Sequence, residues 1–247
     1  MKQVKSGIIY RGPSLLDGAP IVAVAVYTAS NRKTGAILQT YILPDNGLSP
    51  VENARTLNDA SVCGSCPHRR GLGGACYVTL HQGPRSVWAA VERGSYPDAT
   101  NWEALRALGA GRMVRLGTYG DPAAVPYLVW VGLLELAKGH TGYTHQSRHP
   151  SFDRRMLDLC MVSVDTEGQY KLTHKRTPEA RTFRVMGAND TLQAGEIECL
   201  AETEGLTCVE CGICDGAGSG ANVAIRVHGA LSGRFEAKLG KLAVTQL

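Results

Sequence analysis

Cysteine spacing is the feature that most constrains what this 247-residue chain can fold into. Seven of its eight cysteines lie in two short segments that are far apart in the sequence. Cysteines separated by two residues can direct their thiolates to one centre, which indicates metal binding. In chain order the seven are Cys63, Cys66 and Cys76, followed by Cys199, Cys208, Cys211 and Cys214.

The remaining sequence favours a metal over disulfides. The N-terminal residues MKQVKSGIIYRG lack the apolar run of a signal peptide, so we expect a cytoplasmic protein, in which clustered cysteines more often bind metal. Structural zinc usually takes two Cys-x2-Cys pairs, whereas Cys-x2-Cys-x2-Cys at 208–214 is typical of bacterial 4Fe–4S ferredoxins. The spacing therefore favours an iron–sulfur cluster, with zinc and redox or disulfide use of the thiols as the alternatives.

The seven cysteines can be divided in two ways. One cluster could take three ligands from the first segment and one from the second, leaving the other cysteines structural or bound to another metal. Alternatively, each segment holds its own 4Fe–4S cluster, and the cluster on three cysteines has one iron without a protein ligand. We favour two clusters, because this division uses all seven residues. Cys160, between Leu159 and Met161, is predicted to be a buried structural thiol.

Two kinds of local pattern follow each other along the chain. The N-terminal part is predicted to be β-rich, with a loop at Asn31 and Gly35 joining two apolar strands. From residue 84 onward, helical and strand patterns alternate. Helices are predicted over PRSVWAAVERG, TNWEALRALGAG, AVPYLVWVGLLELAKG and SFDRRMLDLC; strands are predicted over GAPIVAVAVYT, AILQTYIL, RMVRLGTYGD, TGYTHQS, MVSVDT, RTFRVMG and NVAIRVHG.

Alternation of strand and helix favours a parallel sheet with crossover helices. We therefore predict an α/β protein with a (β/α) TIM-like barrel, closed or incomplete. Residues 1–60 are expected to form an N-terminal β extension packed on a barrel of residues 61–247. Thr100 and Glu103 have capping-box spacing, and Asp121 is predicted to cap the helix that follows it.

Polar residues follow three predicted strands, at 118–121, 144–146 and 165–167, and ligands bind at the carboxyl ends of such strands. His145 and His228 are candidates for an acid, a base or a hydrogen-bond donor to cluster sulfur; the alternative is a polar loop histidine. Asp165 and Glu167 are interpreted as a solvated rim. No phosphate-binding loop, serine-hydrolase motif or dinucleotide fingerprint is present, so no catalytic residue is assigned.

The charges limit the partners. A net charge of +4 with well-mixed signs argues against a nucleic-acid partner, and the stretch His68, Arg69, Arg70 is interpreted as a solvated basic surface. No run of eighteen apolar residues is present, which argues against a membrane partner.

Four segments together resemble a known group of proteins: CGSCPHRRGLGGACYV, LGTYGDP, GYTHQ and the C-terminal GLTCVECGIC with VAIRVHG. They are similar to phage-encoded proteins of unestablished function that hold a cysteine-bound 4Fe–4S cluster in a TIM-type barrel related to radical-SAM enzymes. The resemblance covers roughly residues 60–230. It implies the barrel and cluster ligation by the seven cysteines, in the cytoplasm of the host cell, and it implies no reaction.

Radical-SAM enzymes typically use Cys-x3-Cys-x2-Cys and a glycine-rich segment that holds SAM. This chain has Cys-x2-Cys-x9-Cys and no such segment after a first helix, which argues against SAM. The predicted function is a 4Fe–4S protein that acts in electron transfer with a donor or acceptor protein, or as a redox enzyme. The alternatives are a radical-SAM-like enzyme with an open-site cluster and a zinc-stabilised nucleic-acid-binding or scaffold protein.

Overall fold

The computed structural model describes residues 4–216 and 220–244. In these residues ten strands form two five-stranded sheets. The first sheet contains, in spatial order, β1 (Ser6–Pro13), β2 (Pro20–Thr28), β3 (Ile37–Pro44), β4 (Met113–Tyr119) and β5 (Gly139–Thr141). The second contains β6 (Tyr143–Thr144), β7 (Met161–Val164), β8 (Thr182–Met186), β10 (Asn222–Arg226) and β9 (Glu196–Glu198).

The first sheet joins the predicted N-terminal β region to the alternating region. Strands β1, β2 and β3 pair antiparallel, which confirms the hairpin predicted between the two apolar runs. Strand β3 then pairs parallel with β4, and β4 with β5. The N-terminal strands are therefore hydrogen-bonded into the same sheet as the first strand of the alternating region. The domain boundary at residue 60 stays a prediction.

The second sheet is wholly parallel, so the α/β class is confirmed. Strands β5 and β6 are separated only by Gly142, where the chain passes from one sheet to the other. A Cβ at Gly142 would lie 2.5 Å from the Leu159 carbonyl oxygen and 2.8 Å from Cys160 Sγ, so glycine is required. The two sheets are not closed: β1 and β9 are end strands of the described residues. A closed barrel was therefore the wrong expectation, because three N-terminal strands build an antiparallel edge where a barrel needs parallel βα units.

Short helices connect the strands and cover the sheets. They are α1 (Pro50–Arg55), α2 (Ala60–Cys63), α3 (Gly83–Glu92), α4 (Trp102–Gly109), α5 (Tyr127–Leu134), α6 (Glu167–Arg176), α7 (Leu200–Thr203), α8 (Cys208–Cys211) and α9 (Ser232–Val244). Single 3-10 turns occur at Arg70–Leu72, Pro122–Ala124 and Arg154–Asp158. None of the helices in the described part of the chain has the length and apolarity needed to cross a membrane.

The cap predicted for α4 is wrong. The side chain of Asn101, not that of Thr100, accepts a hydrogen bond from Ala104 N at 2.9 Å. Thr100 N instead donates to Asp98 Oδ1 at 2.9 Å, within the preceding turn. The sequence offers adjacent capping residues here, and the turn decides which one begins the helix.

Two predicted helices are shorter than their sequence patterns. Asp121 caps only a 3-10 turn, and the chain extends again at Val125 and Pro126 before α5 begins. The residue before a proline is restricted to extended conformations, which separates the turn from the helix. The segment SFDRRMLDLC likewise forms a 3-10 turn instead of an α-helix.

The main core lies against the first sheet. It contains the fully buried Ile42, Leu108, Trp130 and Leu133, and the Trp130 indole N–H donates to the Pro122 carbonyl at 3.0 Å. Cys160 belongs to this core and is fully buried, as predicted.

Candidate metal centres

The first cysteine segment lies over the carboxyl ends of β4 and β6. Asp121, just after β4, donates its backbone N–H to the Val62 carbonyl at 2.6 Å. The Ser14 hydroxyl donates to the Ser61 carbonyl at 2.6 Å. These bonds fix helix α2, and therefore Cys63 at its end, against the first sheet.

Gln146, two residues after β6, holds the turn between the first two cysteines. Its Nε2 donates to the Cys63 carbonyl at 3.0 Å, and its Oε1 accepts from both Ser65 N and Ser65 Oγ at 3.1 Å. Gln146 is completely buried. A Cβ at Gly64 would lie 2.2 Å from Gln146 Oε1, so only glycine leaves room for this amide. The glutamine therefore orients the cysteine loop.

Arg69 closes the loop from the other side. Its guanidinium donates to Asp59 Oδ1 at 2.6 and 2.9 Å, to the Leu57 carbonyl at 2.6 Å and to the Gly64 carbonyl at 3.2 Å. His68 and Arg69 are both buried, so their interpretation as a solvated basic surface is wrong. Charge in the sequence could not reveal that an aspartate ten residues earlier neutralises the arginine.

The three thiols of this loop affect one another. Burial raises the pKa of Cys63 well above its usual value, and the neighbouring thiols of Cys66 and Cys76 raise it further. Burial also raises the pKa of Cys66 to about 12 and that of Cys76 to about 11, although backbone N–H groups of His68 and Val78 donate to the two sulfur atoms. Because three buried thiolates repel one another, only a bound cation would keep all three deprotonated.

The second cysteine segment lies on the second sheet and beside the β2–β3 loop. Cys208 N donates to the Lys33 carbonyl at 3.2 Å, and Cys199 N donates to the Ala224 carbonyl of β10 at 2.8 Å. The Cys214 carbonyl accepts from Gly142 N at 2.9 Å, at the point where the chain changes sheets. A capping box at the start of α8 fixes the first two of the closely spaced cysteines.

Arg181, before β8, holds the loop that follows Cys214. Its buried guanidinium donates to the carbonyls of Ile213 at 2.6 Å, Gly216 at 3.1 Å and Ala221 at 2.8 and 3.1 Å. It also donates to Asp215 Oδ1 at 2.6 Å. One side chain thus organises the backbone on both sides of residues 217–219.

The other thiols of this segment influence the pKa of Cys214. Burial raises the pKa of Cys214 to about 12; a hydrogen bond from the Tyr143 hydroxyl opposes the rise, and the thiols of Cys199, Cys208 and Cys211 increase it. An apolar cluster packs around Cys199 and Cys214. Its members are Met161, Val223, Tyr143, Phe183 and Ile213. Most of the side chains that cover this site are therefore apolar.

Spacing within the two groups differs from that of a single-ion site. No three cysteine Sγ atoms of the described residues lie within 4.8 Å of one another. Around one tetrahedral zinc, sulfur atoms 2.3 Å from the ion would be about 3.8 Å apart. In a cubane each thiolate binds a different iron, so its sulfur atoms stand farther apart.

A third group contains no cysteine. His68, His145 and Asp165 each offer one ligand atom, and these atoms lie within 4.8 Å of one another. His68 Nε2 is 2.8 Å from Asp165 Oδ1. The backbone N–H of His145 donates to Asp121 Oδ2 at 2.8 Å, and the Thr144 hydroxyl donates to Asp121 Oδ1 at 2.8 Å. The polar residues that follow three strands therefore meet, as expected.

Asp165 is only 2% exposed, so its predicted place on a solvated rim is wrong. Burial alone would raise its pKa, but the hydrogen bond from His68 and the charges of His145 and Lys238 lower the pKa below its usual value. The carboxyl of Asp121 has a raised pKa because burial outweighs its hydrogen bonds from Ala123 and His145. Glu167 is more than half exposed, as expected for a rim.

His228 follows β10 but contacts neither carboxylate of this centre among its identified partners. Its Nε2 lies 3.0 Å from Lys33 Nζ, and Lys33 Nζ lies 2.5 Å from the Tyr77 hydroxyl. The Tyr77 and His228 rings meet edge-on with centroids 5.3 Å apart. These three side chains connect the loop of Cys76 to the β2–β3 loop that supports Cys208.

Sequence reasoning missed three residues of these centres. Gln146 belongs to the polar residues that follow a predicted strand, and this position was the indication of a role in the site. His68 was assigned to a basic surface, although it lies between Cys66 and Cys76 in the first cysteine segment. Nothing in the sequence around Arg181 indicates its role, since its partners lie more than thirty residues away.

Comparison with protein-family models, with curated proteins and with solved structures finds no match.

Proposed function

We propose that this chain is an iron–sulfur protein with two separate 4Fe–4S sites. One is held by four cysteines (Cys199, Cys208, Cys211 and Cys214), and the other by three (Cys63, Cys66 and Cys76). The observation that carries the proposal is the grouping of the thiols. The other thiols of the first set raise the pKa of Cys63, those of the second set raise the pKa of Cys214, and a different side chain holds each loop. Gln146 supports the first set and Arg181 the second.

Two further observations favour clusters over zinc. Cys208, Cys211 and Cys214 have the Cys-x2-Cys-x2-Cys spacing of bacterial ferredoxins, whereas structural zinc usually takes two separate Cys-x2-Cys pairs. The Tyr119 hydroxyl, in a residue that is 3% exposed, has no hydrogen-bond partner among the described residues. Its pKa is raised by burial and by the nearby charges of Cys63, Asp59 and Cys76, so it lies near two of the three thiols. An inorganic sulfide of a cluster would supply the missing acceptor.

Electron transfer is the activity that two such sites support together. When bound, iron–sulfur clusters accept and release single electrons. The chain brings the two segments close through Lys33, whose carbonyl accepts from Cys208 N while its ammonium group contacts Tyr77, next to Cys76. Two redox centres joined in this way fit a protein that passes electrons between a donor and an acceptor protein.

A redox enzyme is the second candidate, and one observation favours it. The three-cysteine loop lies over the carboxyl ends of parallel strands, where α/β proteins bind their ligands. A cluster with three cysteine ligands has an iron that is free to bind a substrate there.

For the fold, we propose that the two sheets form an incomplete barrel. In this arrangement β5 and β6 act as one continuous strand that is shared by both sheets. The similarity to phage proteins stays a prediction.

Anaerobic purification of the full chain tests the proposal. We expect a brown protein with broad absorption near 400 nm and about eight iron and eight sulfide per chain. Cys160→Ala is the matched control, since this thiol belongs to the apolar core, and it should retain the full iron content. A colourless protein that holds stoichiometric zinc and no sulfide would refute the proposal and favour the zinc-stabilised scaffold.

A further inference from the structure

We propose that His68, His145 and Asp165 bind one divalent transition-metal ion, in a site distinct from the cysteine-held clusters. Two imidazoles and one carboxylate are the ligand set of many non-haem iron sites, and the same set also suits zinc and manganese. Three protein ligands leave coordination positions open for water or for an exogenous ligand. This site is independent of whether the cysteines hold iron–sulfur clusters.

The three side chains already converge. One ligand atom from each lies within 4.8 Å of the other two, and His68 Nε2 is 2.8 Å from Asp165 Oδ1. Ligands about 2.1 Å from one ion stand roughly 3.0–3.4 Å apart, so small side-chain movements complete the geometry. His68 and Asp165 are buried, and His145 is half-buried.

An unsatisfied nitrogen atom points to a missing ligand. His145 Nε2 is buried and has no hydrogen-bond partner among the described residues. Buried polar atoms of folded proteins are nearly always paired, so each unpaired atom requires an explanation. An ion bound between the two rings, whose centroids are 5.9 Å apart, provides one.

Surrounding groups hold these ligands in place, as the outer shells of metal sites do. The backbone of His145 is tied to Asp121 at 2.8 Å, and the His68 ring stacks on Phe235 of α9 with centroids 5.4 Å apart. Lys238 of α9 donates to the Pro67 carbonyl. The Asp165 carboxylate, whose pKa is held below its usual value, supplies the negative charge of the ligand group, and Lys238 is the lysine near it.

A polar cavity adjoins Asp165, and neither histidine of the site lines it. The cavity of about 490 Å³ is lined by Asp165 together with Thr166, Arg184, Asp190 and Gln193. Asp165 therefore belongs both to the metal-binding group and to the wall of a polar cavity.

Manganese titration of the anaerobically purified full chain tests the site. Mn²⁺ prefers oxygen and nitrogen ligands over thiolates, and free Mn²⁺ gives an electron paramagnetic resonance signal that is lost on binding. We expect one bound Mn²⁺ per wild-type chain. His145→Gln and Asp165→Asn should each weaken binding by roughly 10- to 100-fold or more. His81→Gln, which changes an exposed histidine, should bind like wild type.

Two outcomes would overturn the site: no Mn²⁺ bound by the wild type, or equal affinity in wild type, His145→Gln and Asp165→Asn. Circular dichroism of each variant verifies folding, and a folded variant of either residue suffices for the comparison. Iron and sulfide are measured on the same samples. Manganese binding without sulfide would refute the cluster proposal alone, and clusters without manganese binding would refute this site alone.

Discussion

Arg181 fixes the loop that follows Cys214, so its replacement tests how the four-cysteine site is held. Its guanidinium donates to the backbone carbonyls of Ile213, Gly216 and Ala221. The substitution Arg181→Met retains an unbranched apolar stem but removes every one of these donors.

The expected cost follows from the burial of each acceptor. Gly216 is buried, and an unsatisfied buried carbonyl costs about 1–3 kcal/mol. Ile213 and Ala221 are half-buried, so water compensates part of their loss and each costs about 0.5–1 kcal/mol. The ion pair with Asp215 adds less than about 1 kcal/mol, because that carboxylate is 48% exposed. Together these losses lower the free energy of unfolding by about 3 kcal/mol.

Urea denaturation of the metal-free chain measures this loss, and iron quantification of the anaerobically purified protein measures its effect on the site. We expect Arg181→Met to lose about four irons per chain, those of the four-cysteine cluster, and to keep the others. Arg155→Met is the matched control: its side chain is 60% exposed and pairs with Asp153, so the change should stay below about 1 kcal/mol with full iron content. An Arg181→Met protein with the wild-type urea midpoint and wild-type iron would refute this reasoning.

Three further substitutions have distinct expected results. Gln146→Met leaves the Cys63 carbonyl and Ser65 N without partners, so iron quantification should find the three-cysteine cluster lost and the four-cysteine cluster retained. Retention of both clusters would contradict the role of Gln146 in holding the first cysteine loop. Tyr119→Phe should shift the reduction potential of the three-cysteine cluster to a more negative value in redox titration, since a hydrogen bond to sulfur stabilises the reduced form. An unchanged potential would show that the Tyr119 hydroxyl does not donate to the cluster. Ser49→Ala removes the cap of α1 and should cost about 1 kcal/mol in urea denaturation without loss of iron, whereas lost iron would link α1 to a cluster.

Local patterns predicted the strands well. Periodicity and β-branched residues identified β2 and β3, and the loop at Asn31 and Gly35 joins them as expected. The convergence of strand-end residues was also predictable, because the carboxyl ends of parallel strands share one edge of a sheet. Asp121 and Thr144 meet there.

Non-local contacts determined what the sequence could not reveal. The parallel pairing of β3 with β4, about 70 residues further along the chain, adds the antiparallel N-terminal strands to the edge of the first sheet. Asp165 looked like a solvated residue because its partner, His68, lies 97 positions away. Gln146 holds a cysteine loop 83 residues away in the chain, and Arg181 holds one 32 residues away. The grouping of the thiols by spacing stays a prediction, and spacing gave no indication of the side chains that hold their loops.

Iron and sulfide quantification of Cys76→Ala, Cys211→Ala and the double variant, all purified without oxygen, tests the two-cluster assignment most directly. We predict about eight irons in the wild type, about four in each single variant with different electron paramagnetic resonance spectra after reduction, and none in the double variant. A wild type with about four irons, all lost in either single variant, would contradict two sites and show that both segments hold one shared cluster.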